Sequence, residues 1–372
     1  MTDPKTFEIF LVCPPGLEPF LQEEATALGF ADPVASPGGV SVTGGWTEVW
    51  RANLELRGAV RVLVRIGSFM AFHLAQLDKR ARKFPWGEVL RTDVPVKVQV
   101  TCKASKIYHA KAAAQRIERA LTESHGIPIS EDAALVLKLR ILDNQVTISL
   151  DSSGEALHKR GHKEAVGKAP IRESMAALFL RQMGFDGSQP VLDPMCGSGT
   201  FVIEAAEIAA GLQPGRSRSF AFEDLASFDA AAFDVLRRDA QALPATVRFH
   251  GSDRDQGAVA MASANAVRAK VSDLCRFTCQ GASEAQPPPE GPPGLVMVNP
   301  PYGARVGNKK PLFALYGSFA DTMRARFKGW RVGLVTSEPT LAKATKLPWQ
   351  PLGAPVAHGG LKVHLWQTPP LR

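Results

Sequence analysis

Residues 191–206 read VLDPMCGSGTFVIEAA: a short apolar run, a turn rich in glycine, and a helical pattern that starts at once. An apolar strand that passes through glycines into a helix is the opening of a βα unit. Ligands of open α/β sheets bind at the carboxyl ends of such strands. Glycines there let a ligand come close to the backbone, and the helix N-terminus offers unpaired N–H groups to an anion. The spacing is not Gly-x-Gly-x-x-Gly, and no lysine follows the glycines, so neither a dinucleotide fingerprint nor a phosphate loop fits. A small ligand bearing one carboxylate fits better.

Outward from this run, the pattern continues to the C-terminus. RFHGSD, CRFTCQ, GLVMVNPP, RVGLVTS and LKVHLWQ read as further strands. IRESMAALFLRQMG, AAFDVLRRDAQAL, QGAVAMASANAVRAK and LFALYGSFADTMRARF read as helices between or beside them. Alternation of this kind predicts a parallel sheet covered on both faces. LKVHLWQ follows a glycine pair rather than a helix, so it is free to enter antiparallel. QPPPEGPPG (286–294) is loop.

Residues 1–158 have a different, mixed α/β style. TFEIFLVC, GGVSVTG and VPVKVQVTC read as strands, and GLEPFLQEEATALGF as an amphipathic helix closed by Gly29. WTEVWRANLELRGAVRVLVRIGSF passes from helix to strand. SKIYHAKAAAQRIERALTES reads as a long basic helix stopped by HGIP, and LVLKLRILDNQVTISLD as a hairpin turning at Asp143-Asn144.

The chain has 372 residues and a net charge of +8. The charge is unevenly placed. Residues 1–50 hold one basic and seven acidic side chains, whereas 71–125 hold eleven basic and five acidic. A basic stretch beside an acidic one points to a polyanion-facing surface. Its candidates are Lys103, Lys106, Lys111, Arg116 and Arg119; Lys111, Gln115 and Arg119, spaced by four, share one helical face. Five scattered cysteines suit a reducing compartment, and Cys275 and Cys279 lack the second pair a zinc site needs. No metal is expected. No run is apolar enough to span a membrane, and MTDPKTFEIF lacks the features of a secretory signal, so the expected location is cytoplasmic.

Two more strand ends carry chemistry. In GSDRD, Asp253 can accept both hydroxyls of a ribose, with Asp255 as competitor and helix capping as the alternative role. In LVMVNPPYGARV (295–306), two prolines stiffen the chain between Asn299 and Tyr302. The Asn299 side-chain oxygen and the Pro300 carbonyl are two acceptors at fixed separation, able to hold the two hydrogens of an exocyclic amine. Pro301 keeps the turn rigid and Tyr302 can stack on the base. Such an amine is a weak nucleophile, so positioning and desolvation would supply most of the rate.

Together LDPMCGSGTFVIEAA and NPPYGAR resemble the class I S-adenosylmethionine-dependent methyltransferases, and among them the THUMP-domain RNA guanine-N2 methyltransferases of the bacterial large-subunit ribosomal RNA branch. SLDSSGEALHKRGHKEAVGKAPIRESMAA resembles that group's passage into its catalytic domain, and the likeness covers nearly all of 50–372. It implies a ferredoxin-like domain over 1–70, a THUMP RNA-binding domain over 71–158 and a Rossmann-like methyltransferase domain over 159–372. It implies that Asp193, Pro194, Met195, Cys196, Gly197, Ser198, Gly199 and Thr200 hold the methionine end of S-adenosylmethionine, Asp253 its ribose, and Asn299–Tyr302 the target guanine. It implies RNA as partner, 23S rRNA or a large-subunit assembly intermediate. The chain departs from the pattern in CQGASEAQ, where Gly281 stands in place of an acidic residue near the adenine amine; Ser283, Glu284 or a backbone carbonyl must substitute.

Rival readings are an adenine-N6 methyltransferase on RNA or DNA, a tRNA guanine-N2 methyltransferase, and a non-catalytic RNA-binding assembly protein. A cytosine-C5 enzyme is disfavoured, because Cys196 lies in the ligand loop and no cysteine follows Pro301.

Overall fold

A computed structural model describes residues 6–164, 171–237, 245–289, 291–302 and 310–372. Residues 303–305 of NPPYGAR and 238–243 of an expected helix lie outside them. The chain forms two compact units: Met1–Cys13, Gln22–Leu157 and Arg218–Arg238 in one, Pro14–Leu21, His158–Ser217 and Asp239–Arg372 in the other.

The N-terminal elements are β1 (Phe7–Val12), α1 (Glu18–Ala27), β2 (Ala31–Ser36), β3 (Gly39–Gly44), α2 (Trp46–Glu55), β4 (Arg61–Met70), α3 (Leu74–Lys83), β5 (Val96–Lys103), α4 (Ala110–His125), β6 (Leu135–Leu142) and β7 (Gln145–Asp151). Their strands form one seven-stranded sheet, β2-β3-β1-β4-β7-β6-β5. Ile9, Leu11, Val62, Val64, Leu137 and Ile148 alternate onto its buried face. The β6–β7 hairpin turns where expected, with both Asp143 (φ 49) and Asn144 (φ 65) left-handed. The basic helix begins at Ala110, later than its periodicity suggests. Ala104 is left-handed, and the Ser105 hydroxyl accepts the Asn144 N–H at 3.0 Å, tying residues 104–109 to the hairpin as a turn. Gly126 (φ 66) closes α4.

The second part of the chain contains α5 (Glu173–Gln182), β8 (Val191–Asp193), α6 (Thr200–Ala209), α7 (Ala230–Leu236), β9 (Phe249–Asp253), α8 (Gln256–Arg268), β10 (Cys275–Cys279), β11 (Leu295–Val298), α9 (Lys310–Arg326), β12 (Arg331–Thr336), α10 (Pro339–Ala344), β13 (Gln350–His358) and β14 (Leu361–Gln367). The sheet order is β10-β9-β8-β11-β12-β14-β13. The first five strands run parallel, and β14 enters antiparallel between β12 and β13. Every residue of β11 is buried, as a central parallel strand requires. Tyr316, Phe319 and Met323 of α9 belong to the core cluster that also holds Val296 and Val298.

α7 departs from the sequence reading, which counts it among the helices of the parallel sheet. Arg218–Arg238 instead belongs to the first unit. There Phe222 and Phe233 are buried and, with Phe228, lie with ring centroids 5.7–6.3 Å from Trp50. Among the described residues, no helix is long and apolar enough to cross a membrane.

Candidate active site

The strand order reverses between β8 and β11: β9 and β10 follow on one side, β12 on the other. A crevice opens at the carboxyl ends of the strands at such a switch point. Asp193 ends β8 there, and Asn299 follows β11, whose Leu295 and Val296 pair with Val191 and Leu192.

The loop between β8 and α6 is held by its own backbone. Gly199 caps α6 with φ 86, and a Cβ there would lie 3.1 Å from the Ala262 Cβ and 3.2 Å from the Phe277 ring. Gly197 (φ 52) is also left-handed and donates its N–H to Asp253 Oδ2 at 3.0 Å. The Cys196 N–H donates to the Ser252 carbonyl at 2.9 Å, and Asn265 Nδ2 of α8 donates to the Ser198 carbonyl at 3.1 Å. The loop is therefore pinned to β9 and α8 where it leads into α6. Pro194 and Met195 lead into it; the Met195 N–H donates to Asp193 Oδ1 at 3.0 Å.

Burial pushes the Asp193 carboxyl up to about 8, opposed by the Met195 N–H and reinforced by the nearby Asp253 carboxylate. Burial likewise pushes the Cys196 thiol up, which makes it a poor nucleophile. Asp253 stands half-buried at the end of β9. Its Oδ1 accepts the Asp255 N–H at 3.0 Å and its Oδ2 the Gly197 N–H, leaving each oxygen a further lone pair. Asp255, exposed, caps α8, its Oδ1 accepting the Gly257 N–H at 2.8 Å.

Glu284 folds back to accept the Gly281 N–H at 3.1 Å, so its carboxylate is engaged locally. The Ser283 side chain is exposed, and its carbonyl accepts from Thr322 and Arg326.

Asn299 Oδ1 is buried and has no hydrogen-bond partner among the described residues. Buried acceptors are seldom left unpaired, and such an exception calls for an explanation. Pro300 is buried, Pro301 exposed and Tyr302 half-buried. The turn is braced from below: the buried Tyr316 hydroxyl lies 3.5 Å from the Pro301 carbonyl and 3.3 Å from Thr336 Oγ1. Burial raises the Tyr316 phenol well above its ordinary value, so it stays a neutral donor.

The basic candidates lie in the first unit. Lys103 ends β5, the Lys106 ammonium sits 5.5 Å from the Phe72 ring centroid, and Lys111 and Arg119 are exposed on α4 with Arg116 half-buried between them. Arg119 pairs with Glu123 at 3.4 Å.

The sequence reading missed Lys163, Asn265 and Phe277. Lys163 Nζ donates to Thr200 Oγ1 at 2.7 Å and pairs with Glu173 at 2.8 Å. Asn265, fully buried in an alanine-rich helix, had a legible signal: a polar residue on an apolar face.

Comparison with known proteins places this arrangement. Residues 160–352 match the RMKL-like methyltransferase domain, and residues 8–63 match the RlmL ferredoxin-like domain. The chain is 34% identical, over 90% of its length, to a ribosomal RNA large subunit methyltransferase K/L of Syntrophotalea carbinolica, and 30% identical, over 89%, to one of Psychromonas ingrahamii. It spans about half the length of these relatives, 50% and 46%. Among solved structures, the methyltransferase SMU.472 complexed with S-adenosylhomocysteine superposes with a TM-score of 0.88 at 26% identity, both chains fully covered. A protein of Listeria monocytogenes described as a predicted N6-adenine-specific DNA methylase superposes with a TM-score of 0.86 at 28% identity, covering 98% of this chain and 96% of that one. The matched domain takes in the whole constellation from Lys163 to Tyr302, and the chain belongs to the RMKL-like methyltransferases, whose cofactor is S-adenosylmethionine.

Proposed function

We propose that this protein transfers a methyl group from S-adenosylmethionine to the exocyclic N2 amine of a guanine in RNA, with large-subunit ribosomal RNA as the substrate class. The observation that carries the proposal is the buried, unpartnered Asn299 Oδ1 beside the glycine loop's strand. An acceptor kept dry and unpaired suits a ligand N–H donor.

The residues present fit the cofactor. A Cβ at Gly197 would meet nothing within 4 Å, so the loop before α6 is open on that side, and Asp253 has lone pairs to spare for two ribose hydroxyls. When bound, S-adenosylmethionine supplies an electrophilic methyl group on a sulfonium. Asn299 Oδ1 and the Pro300 carbonyl accept the two amine hydrogens and turn the nitrogen lone pair away from them. Tyr302 stacks on the base, while the Tyr316–Thr336 brace keeps the turn from yielding. Holding both hydrogens would also disperse the positive charge that grows on the nitrogen; with S-adenosylhomocysteine as the leaving group, the alkylated nitrogen would be acidic enough to give one of those protons to water.

RNA as substrate is supported by the names of the two curated relatives and by the basic α4 surface. We further assign residues 1–70 to a ferredoxin-like division, 71–158 to a THUMP-like RNA-binding division and 159–372 to the catalytic division. A second reading, adenine N6 as acceptor, is favoured by the description of the Listeria relative. The deciding experiment is incubation of the protein with 23S rRNA and isotopically labelled S-adenosylmethionine, followed by nucleoside mass spectrometry. Label in N2-methylguanosine is the expected result. Label in N6-methyladenosine alone would overturn the guanine assignment.

A further inference from the structure

Lys163 is a cation in an unusual place. Its side chain is only 7% exposed, and its ammonium touches the first residues of two helices: Glu173 of α5 at 2.8 Å and Thr200 of α6 at 2.7 Å. Helix N-termini carry positive partial charge and favour anions, so a buried lysine between two of them is the wrong charge for its surroundings. Glu173 balances one positive charge. The N-terminus of α6 remains positive with nothing among these three residues to offset it.

The hydrogen-bond direction adds to this. An ammonium can only donate, so Thr200 Oγ1 must be the acceptor of that bond. The Thr200 hydroxyl hydrogen is then left to point elsewhere. Thr200 is 5% exposed, and its hydroxyl has no acceptor among the described residues. A buried hydroxyl with an unspent donor at a helix N-terminus, where backbone N–H groups favour negative charge, calls for an anionic acceptor.

We infer that Lys163 is a positioning residue for cofactor binding: held by Glu173, it occupies the Thr200 Oγ1 lone pair and so fixes the Thr200 hydroxyl as a donor to the cofactor's carboxylate. The inference rests on S-adenosylmethionine being the cofactor but not on which base is methylated. Glu173 holds the lysine in place through their 2.8 Å ion pair.

The test compares two probes by calorimetric titration of the full chain: S-adenosylhomocysteine, and its decarboxylated analogue, which keeps the amine and lacks the carboxylate. Lys163→Met should weaken binding of S-adenosylhomocysteine by about tenfold or more, the scale of a charge-assisted hydrogen bond, and leave the analogue within about twofold of wild type. Thr200→Val should give the same selective loss, and the double variant should add little to either, because the two residues act as a unit. Lys163→Arg should restore most of the affinity. Lys163→Met leaves Glu173 buried without its partner, so Lys163→Met/Glu173→Gln is measured alongside, with thermal melting to show that it folds; the same selective loss is expected. Equal losses for both probes would mean that Lys163 merely supports the fold, and undiminished affinity for S-adenosylhomocysteine in the variants would also overturn the proposal. Failure of the wild-type protein to bind S-adenosylhomocysteine would strike the cofactor assignment itself.

Discussion

The carboxylate of Asp253 receives the backbone N–H of Gly197 at 3.0 Å, so the acid at the end of β9 holds the glycine loop at the end of β8. The residue proposed to bind the ribose is thereby also a brace for the loop proposed to bind the methionine end. Asp253→Ala removes both functions and should weaken S-adenosylhomocysteine binding by about 1–3 kcal/mol or more. Asp255→Ala should leave that affinity within a few-fold while lowering stability by about 1 kcal/mol, the usual loss of an N-cap. Calorimetry and urea unfolding on the two variants decide it; the reverse pattern would move the ribose to Asp255.

Asn299→Ala should lower methyl transfer by about a hundredfold or more, since a positioned hydrogen bond used chiefly in the transition state acts on turnover. Cofactor affinity should stay within a few-fold. Thermal stability should not fall, because the substitution removes a buried acceptor that the free protein leaves unpaired. Single-turnover kinetics beside a thermal melt checks both halves. Near-normal transfer would discard the role given to this side chain.

Asp193 makes stability depend on pH in an uncommon direction. Its folded carboxyl titrates near 8, raised by burial, while an unfolded aspartate titrates near 4. Between those values the folded state holds more protons than the unfolded state, so this group's contribution falls as pH rises through the window. Asp193→Asn, which can still accept the Met195 N–H, should therefore gain stability relative to wild type as pH rises from about 4 to about 8. Urea unfolding at a series of pH values measures the difference. A constant difference would place the ionisation outside the window.

Neutralising Lys111, Arg116 and Arg119 together should weaken RNA binding and flatten its salt dependence by roughly one counterion per lost contact. Cofactor affinity should be unchanged, since Asp253 and the glycine loop belong to the other unit. Filter binding over a salt series is the measurement. An unaltered slope would show that α4 is a solvated face and that RNA is held elsewhere.

What the sequence made legible, and what it hid, follows from where each residue sits. Central elements carry their signal openly: β11 is apolar at every position, and the β6–β7 turn needs the left-handed conformations that Asp143 and Asn144 tolerate. Both strands absent from the sequence reading, β2 and β13, lie at sheet edges. Pro33, Pro351 and Pro355 are tolerated there because an edge strand bonds on one side only, and those same prolines mask the strand pattern. α3 was equally obscure: only Leu77 and Ala81 are buried, too narrow a stripe among charges. In the site, the glycines, Asp253 and Asn299 declare themselves at strand ends. Lys163 does not, because its meaning comes from two helix N-termini brought together in space.

The aromatic segment around Phe222 bears on how this protein can be divided. Arg218–Arg238 lies within the sequence of one unit yet packs in the other, where Phe222, Phe228 and Phe233 gather at Trp50. No single cut of the polypeptide yields two self-sufficient pieces. A fragment beginning near residue 161 would carry three phenylalanines stripped of their partner ring, and one ending there would lack part of its core. The chain passes from one unit to the other five times, after Cys13, Leu21, Leu157, Ser217 and Arg238, so transplanting either unit means rejoining several segments, and any lineage that exchanged the first unit for another would have had to exchange this insert with it.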